Sequence, residues 1–72
     1  MSIEAIALEE EALIIVAPEA EEIRFVARWG QVVKFCAGSP ARYDITGGEG
    51  YVRAECYGHG RQAAWTQPIF VD

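Results

Sequence analysis

The stretch "EIRFVARWGQVVKFC" (residues 22–36) decides how this chain folds. Its first half alternates: Ile23, Phe25 and Ala27 fall on one side, and Arg24, Val26 and Arg28 on the other. That is the period-two signature of a strand with one buried face. Gly30 follows as the turn, because glycine accepts the positive φ that tight hairpin turns require. The chain then returns through "QVVKFC" (residues 31–36), with Val33 and Phe35 on one side and Lys34 on the other. Two antiparallel strands joined by a short turn are expected here.

The same pattern extends towards the C-terminal end. "YVRAECY" (residues 51–57) places Val52, Ala54 and Cys56 inward and Arg53 and Glu55 outward. "ARYDIT" (residues 41–46) reads as a short strand, "GSP" (38–40) as a loop, and "GHGR" (58–61) as a turn. "GGEG" (47–50) has the look of a phosphate loop but lacks the Gly-Lys-Ser/Thr ending, so it reads as a hairpin turn. A last strand carries Ala64, Trp65, Ile69, Phe70 and Val71, and Pro68 confines part of it to a sheet edge or a bulge.

Residues 1–22 are harder to assign. Ala, Glu, Ile and Leu favour a helix by propensity alone. Against that, "ALIIVA" (residues 12–17) is a compact run with three β-branched residues, ended by Pro18. Such a run suits a strand buried on both faces, although periodicity alone does not separate it from a helix. The strand reading makes Glu9-Glu10-Glu11 an exposed turn after a first strand at about Ile3–Leu8. Six to seven short strands with turn signals roughly every 8–12 residues point to an all-β antiparallel sandwich.

At 72 residues the chain is one domain, residues 1–72, and with 51% apolar residues it can fill a core. Its formal charge is −5, with seven acidic and no basic residues in the first 22. Nucleic acid, bound through Lys and Arg, is not an expected partner. Neither is a membrane, since no apolar run approaches the ~20 residues needed to cross one. An acidic start is not a secretory signal, so a cytoplasmic chain is expected; Cys36 and Cys56 could pair as an inter-sheet disulfide, but two reduced thiols are favoured.

"YVRAE" (residues 51–55) and "AWTQPIFV" (residues 64–71), with "EIRFVARWGQVV" upstream, resemble the end of PHP-type phosphoesterases, the polymerase and histidinol phosphatase superfamily. Several of these metal-dependent enzymes carry a small immunoglobulin-like β domain after the catalytic barrel. The resemblance covers most of that accessory domain and none of the barrel. It implies an immunoglobulin-like sandwich and a PHP-type catalytic domain, in cis or in trans, as partner.

Catalysis by the chain itself is not expected. Hydrolysis in that family uses two or three metal ions held by many His, Asp and Glu ligands, and here His59 is the one histidine, with Asp44 and Asp72 the two aspartates. No cofactor and no metal are expected. His59, between two glycines, reads as a solvated loop residue, and the glutamate runs as solvated charge. Ser2, Ser39, Thr46 and Thr66 have no histidine at a triad spacing.

The aromatic residues carry the binding expectations. Trp65 and several tyrosines are expected to fill the core of so small a domain. Trp29 is the exception, since burial beside a turn is hard. Trp29, Tyr43 and Tyr57 are the candidate docking or binding residues, for a catalytic domain or for a second copy. The alternative is a free-standing module for carbohydrate or peptide, which a cluster of exposed Trp and Tyr on one sheet face favours. An apolar patch of Ala, Ile and Val favours docking instead.

Overall fold

The computed structural model describes residues 2–70. Eight strands follow one another among the described residues: β1 (Ala5–Glu9), β2 (Ala12–Val16), β3 (Glu22–Ala27), β4 (Gln31–Cys36), β5 (Ala41–Asp44), β6 (Tyr51–Tyr57), β7 (Ala63–Trp65) and β8 (Ile69–Phe70). They form a three-stranded sheet in the order β1-β2-β5 and a five-stranded sheet in the order β4-β3-β6-β7, with β8 also on β6. Every pairing is antiparallel. The result is an all-β sandwich. It has more strands than the six to seven expected, because the last one is broken in two. Pro68 falls at the break, and both pieces lie along one side of β6.

The acidic N-terminal region is strand, not helix. Glu10 and Glu11 form a two-residue turn between β1 and β2, both at positive φ. Such φ values are required at both central residues of the primed turns that suit hairpins. Leu13, Ile15 and Ala17 face the core, while Ile14 and Val16 on the opposite face are half-buried, so β2 is covered fully on one side only.

The core lies between the sheets. Leu13, Ile15, Ala41 and Tyr43 come from the smaller sheet, and Ile23, Phe25, Val52, Ala54 and Cys56 from the larger. The alternations expected in β3 and β6 are therefore correct at Ile23, Phe25, Val52, Ala54 and Cys56. Across the layers the Phe25 and Tyr43 rings stack with centroids 5.5 Å apart.

Two expectations need correction. Val26 is buried, although alternation grouped it with Arg24 and Arg28. It keeps its place on the outer face, between Val32 of β4 and Arg53 of β6; beside it the β3–β4 register shifts between Phe25 and Val26, so that Phe25 pairs with Lys34 and Val33 is left as the extra residue of a bulge. The second concerns residues 47–50. They do not close a hairpin, since β5 pairs with β2 and β6 with β3. This segment carries the chain from one sheet to the other.

β4 is exposed along almost its whole length. Lys34, opposite Phe25, reaches across to donate to the Arg42 carbonyl of the smaller sheet at 2.5 Å. An inward lysine and a bulge are two of the devices by which edge strands avoid pairing with other chains. Cys36 and Cys56 are free; they sit opposite Ile23 on its two sides. Two strand spacings separate them by roughly 9–10 Å, beyond the reach of a disulfide. Among the described residues no helix is long and apolar enough to cross a membrane.

Candidate binding face

With Ile23, Phe25, Val52, Ala54 and Cys56 turned inward, strand alternation sends their neighbours to the outer face of the larger sheet. The pairing then sets these residues in rows. Phe35, Arg24, Glu55 and Trp65 form one row across β4, β3, β6 and β7. Glu22, Tyr57 and Ala63 form the next, and Val32, Val26 and Arg53 lie on the other side. Tyr51 pairs with Phe70 at the far end.

The charges on this face are matched. Arg24 pairs with Glu22, and Arg53 with Glu55. The Arg24 guanidinium also lies 5.0 Å from the Tyr57 ring centre and 5.7 Å from that of Phe35. The Tyr57 hydroxyl donates to Glu55 at 2.8 Å. Burial pushes the Glu55 carboxyl up, but the Tyr57 and Arg53 donors and the nearby guanidinium charges outweigh it and hold it below its ordinary range. Tyr57 is shifted up, first by that hydrogen bond and then by burial. The large apolar side chains nevertheless stay open to solvent: Val32 is 50% exposed, Phe35 59%, Trp65 68% and Phe70 82%.

The three candidate binding residues separate. Trp29 is 89% exposed at the tip of the β3–β4 turn, with φ of +69°. Tyr57 is half-buried within the outer-face lattice. Tyr43 is not a surface residue; it is buried, its ring on Phe25 and its hydroxyl 2.5 Å from Glu49 Oε2. Trp65 departs from expectation in the opposite sense, since it points outward. Thr66, not Trp65, takes the inward place: its N–H donates to the Ala54 carbonyl and its Oγ1 accepts from the Ala54 N–H.

Sequence reasoning also passed over Glu49, which is buried. Its Oε2 accepts from the Tyr43 hydroxyl, from the Thr46 N–H at 2.8 Å and from the Thr46 hydroxyl at 3.0 Å. Burial pushes this carboxyl up, but those donors prevail and hold it at about 2. Its other oxygen, Oε1, is buried with no hydrogen-bond partner among the described residues. Nothing in "GGEG" signals this, because the donors come from Tyr43 and Thr46.

Two hollows flank Trp29. One, of about 310 Å³, is bounded by Trp29, Tyr43, Thr46, Gly47, Gly48 and Glu49, with Arg28 and Val33 among its other neighbours. The other, of about 440 Å³, is formed by Arg28, Trp29, Gly50, Tyr51 and Phe70. Among the described residues no three His, Cys, Asp or Glu side chains are gathered so that they could hold a metal ion. His59 is exposed in the β6–β7 turn. No protein-family model, no curated protein and no solved structure matches this chain.

Proposed function

We propose that this chain is a non-catalytic interaction domain that binds a protein through the outer face of its five-stranded sheet. The observation that carries this reading is the combination on one face of exposed Phe35, Trp65, Phe70 and Val32 with the ordered guanidinium groups of Arg24 and Arg53. Aromatic residues and arginine are the types enriched in protein interfaces and in their energetic centres. On the resemblance of residues 51–55 and 64–71, the partner is the catalytic barrel of a PHP-type phosphoesterase, in cis or in trans.

The immunoglobulin-like arrangement belongs to the same proposal. A strand order of β1-β2-β5 facing β4-β3-β6-β7 supports it, although the inter-sheet disulfide and buried tryptophan of antibody domains have no counterpart among the described residues. The two free thiols fit a cytoplasmic setting. Self-association along β4 is disfavoured by Lys34 and the bulge at Val33.

The exposed set is mainly aromatic, which is the feature expected of a free-standing carbohydrate or peptide module, and that second reading rests on it. Spacing favours a protein. Phe35 and Trp65 stand three strand intervals apart, roughly 14 Å, with Arg24 and Glu55 between them. A single sugar ring does not span them.

The test is a titration of the ¹⁵N-labelled domain with a PHP-type barrel freed of its own β domain. Amide shifts in β3, β6 and β7, lost in a Phe35→Ser/Trp65→Ser variant, are the expected result. No shifts with the barrel, together with saturable shifts on an oligosaccharide panel, would replace the first reading by the second.

A further inference from the structure

We infer that the 310 Å³ hollow beside Trp29 receives a cationic side chain, lysine or arginine, presented by the protein partner. From the preceding section this takes only that the partner is a protein; the cation chemistry stands on the geometry of the hollow.

Three observations converge. Glu49 is more than nine-tenths buried, and its Oε1 has no hydrogen-bond partner among the described residues. A buried carboxylate oxygen left unpaired is unusual in a native structure, because desolvation without a partner is costly. Trp29, which lines the same hollow, is 89% exposed, and its backbone occupies the left-handed region. At that exposure the indole buries little of its area against the fold, and strain of this kind gathers at ligand sites. Finally, the hollow joins the two: Trp29 forms one wall and Glu49 another.

A lysine or arginine matches all three. Its apolar stem lies along the indole, its charge interacts with the ring face, and its N–H groups donate to Oε1. A neutral ligand leaves the carboxylate charge uncompensated. A divalent metal ion prefers several oxygen ligands, and among the described residues that line the hollow Glu49 is the one carboxylate. Arg28 borders the hollow without filling this role. Its stem lies against Gly50, and among the described residues it makes no ion pair. Oε1 is covered in the free chain, so a cation reaches it only with a local movement of the hollow's lining, which includes Gly47 and Gly48.

The experiment uses the isolated domain and N-acetyl-arginine amide, with N-acetyl-citrulline amide as the neutral match in shape. Saturable ¹⁵N shifts at residues 46–49 and at the Trp29 indole are expected, with citrulline at least about tenfold weaker, equivalent to ~1.4 kcal/mol. Trp29→Gly, which suits the local φ, should stay folded and lose at least about tenfold in affinity. Equal binding of citrulline, no shifts at the solubility limit of arginine, or unimpaired binding by Trp29→Gly would each overturn the inference. The Phe35→Ser/Trp65→Ser variant should bind arginine normally. If the hollow fails while partner binding persists, only this inference falls; if the partner fails while arginine binds, the interaction-domain reading falls instead.

Discussion

Trp29 sets two energies against each other. The left-handed conformation costs an L-residue about 1–2 kcal/mol, and at 89% exposure little burial offsets it. Glycine removes that strain but adds roughly 0.4–1 kcal/mol of freedom to the unfolded chain. Trp29→Gly should therefore be as stable as the natural chain, or about 0.5 kcal/mol more stable, in urea titration. A loss of stability would show that the indole packs against the fold. Phe25 and Val52 present the opposite case. Both are fully buried, so Phe25→Asp or Val52→Asp places an unpaired charge in a small core and should leave the chain unfolded by circular dichroism. His59→Ala changes an exposed side chain and should alter the urea midpoint by the equivalent of less than about 0.5 kcal/mol.

Single elements carry their own tests. The β1–β2 turn places two glutamates at φ of +46° and +69°, where Asn-Gly is the preferred pair. Glu10→Asn with Glu11→Gly should raise stability by about 1 kcal/mol, read from the urea midpoint. The β5–β6 crossing depends on Glu49. Its folded value of about 2 lies below the ordinary 4.5. The stabilisation is thus complete above pH 4.5 and is lost as pH falls through about 2. Urea midpoints measured from pH 6 to 2 should fall across that window, and Glu49→Gln should flatten the fall while losing about 1–3 kcal/mol at neutral pH. These elements also divide what the sequence makes legible from what it hides. β3 and β6 could be read because one face of each meets the core and the other meets charge. The burial of Val26 could not, since its flanking residues on the outer face, Val32 and Arg53, come from other strands. Glu49 passed unnoticed among glycines because its donors lie outside the turn, and Trp65 looked like core because residue type was weighed ahead of its alternation with Thr66.

At the scale of the molecule, the chain passes between the sheets three times, from β2 to β3, from β4 to β5 and from β5 to β6. Phe25 and Tyr43 seal the layers from opposite sides. Neither sheet keeps a buried face without the other, so unfolding should be a single transition, with fluorescence and circular dichroism coincident in urea. Separate midpoints would show that one sheet outlasts its neighbour. The two cysteines on either side of Ile23 turn this cooperativity into something that can be timed. Cys36 lies on the edge strand and is partly open to solvent, whereas Cys56 is wholly enclosed and its thiol is shifted up by burial. A thiol-specific reagent should modify Cys36 in the intact protein and reach Cys56 only when the whole domain opens. The slow labelling phase then counts those openings directly, without denaturant and with no added probe.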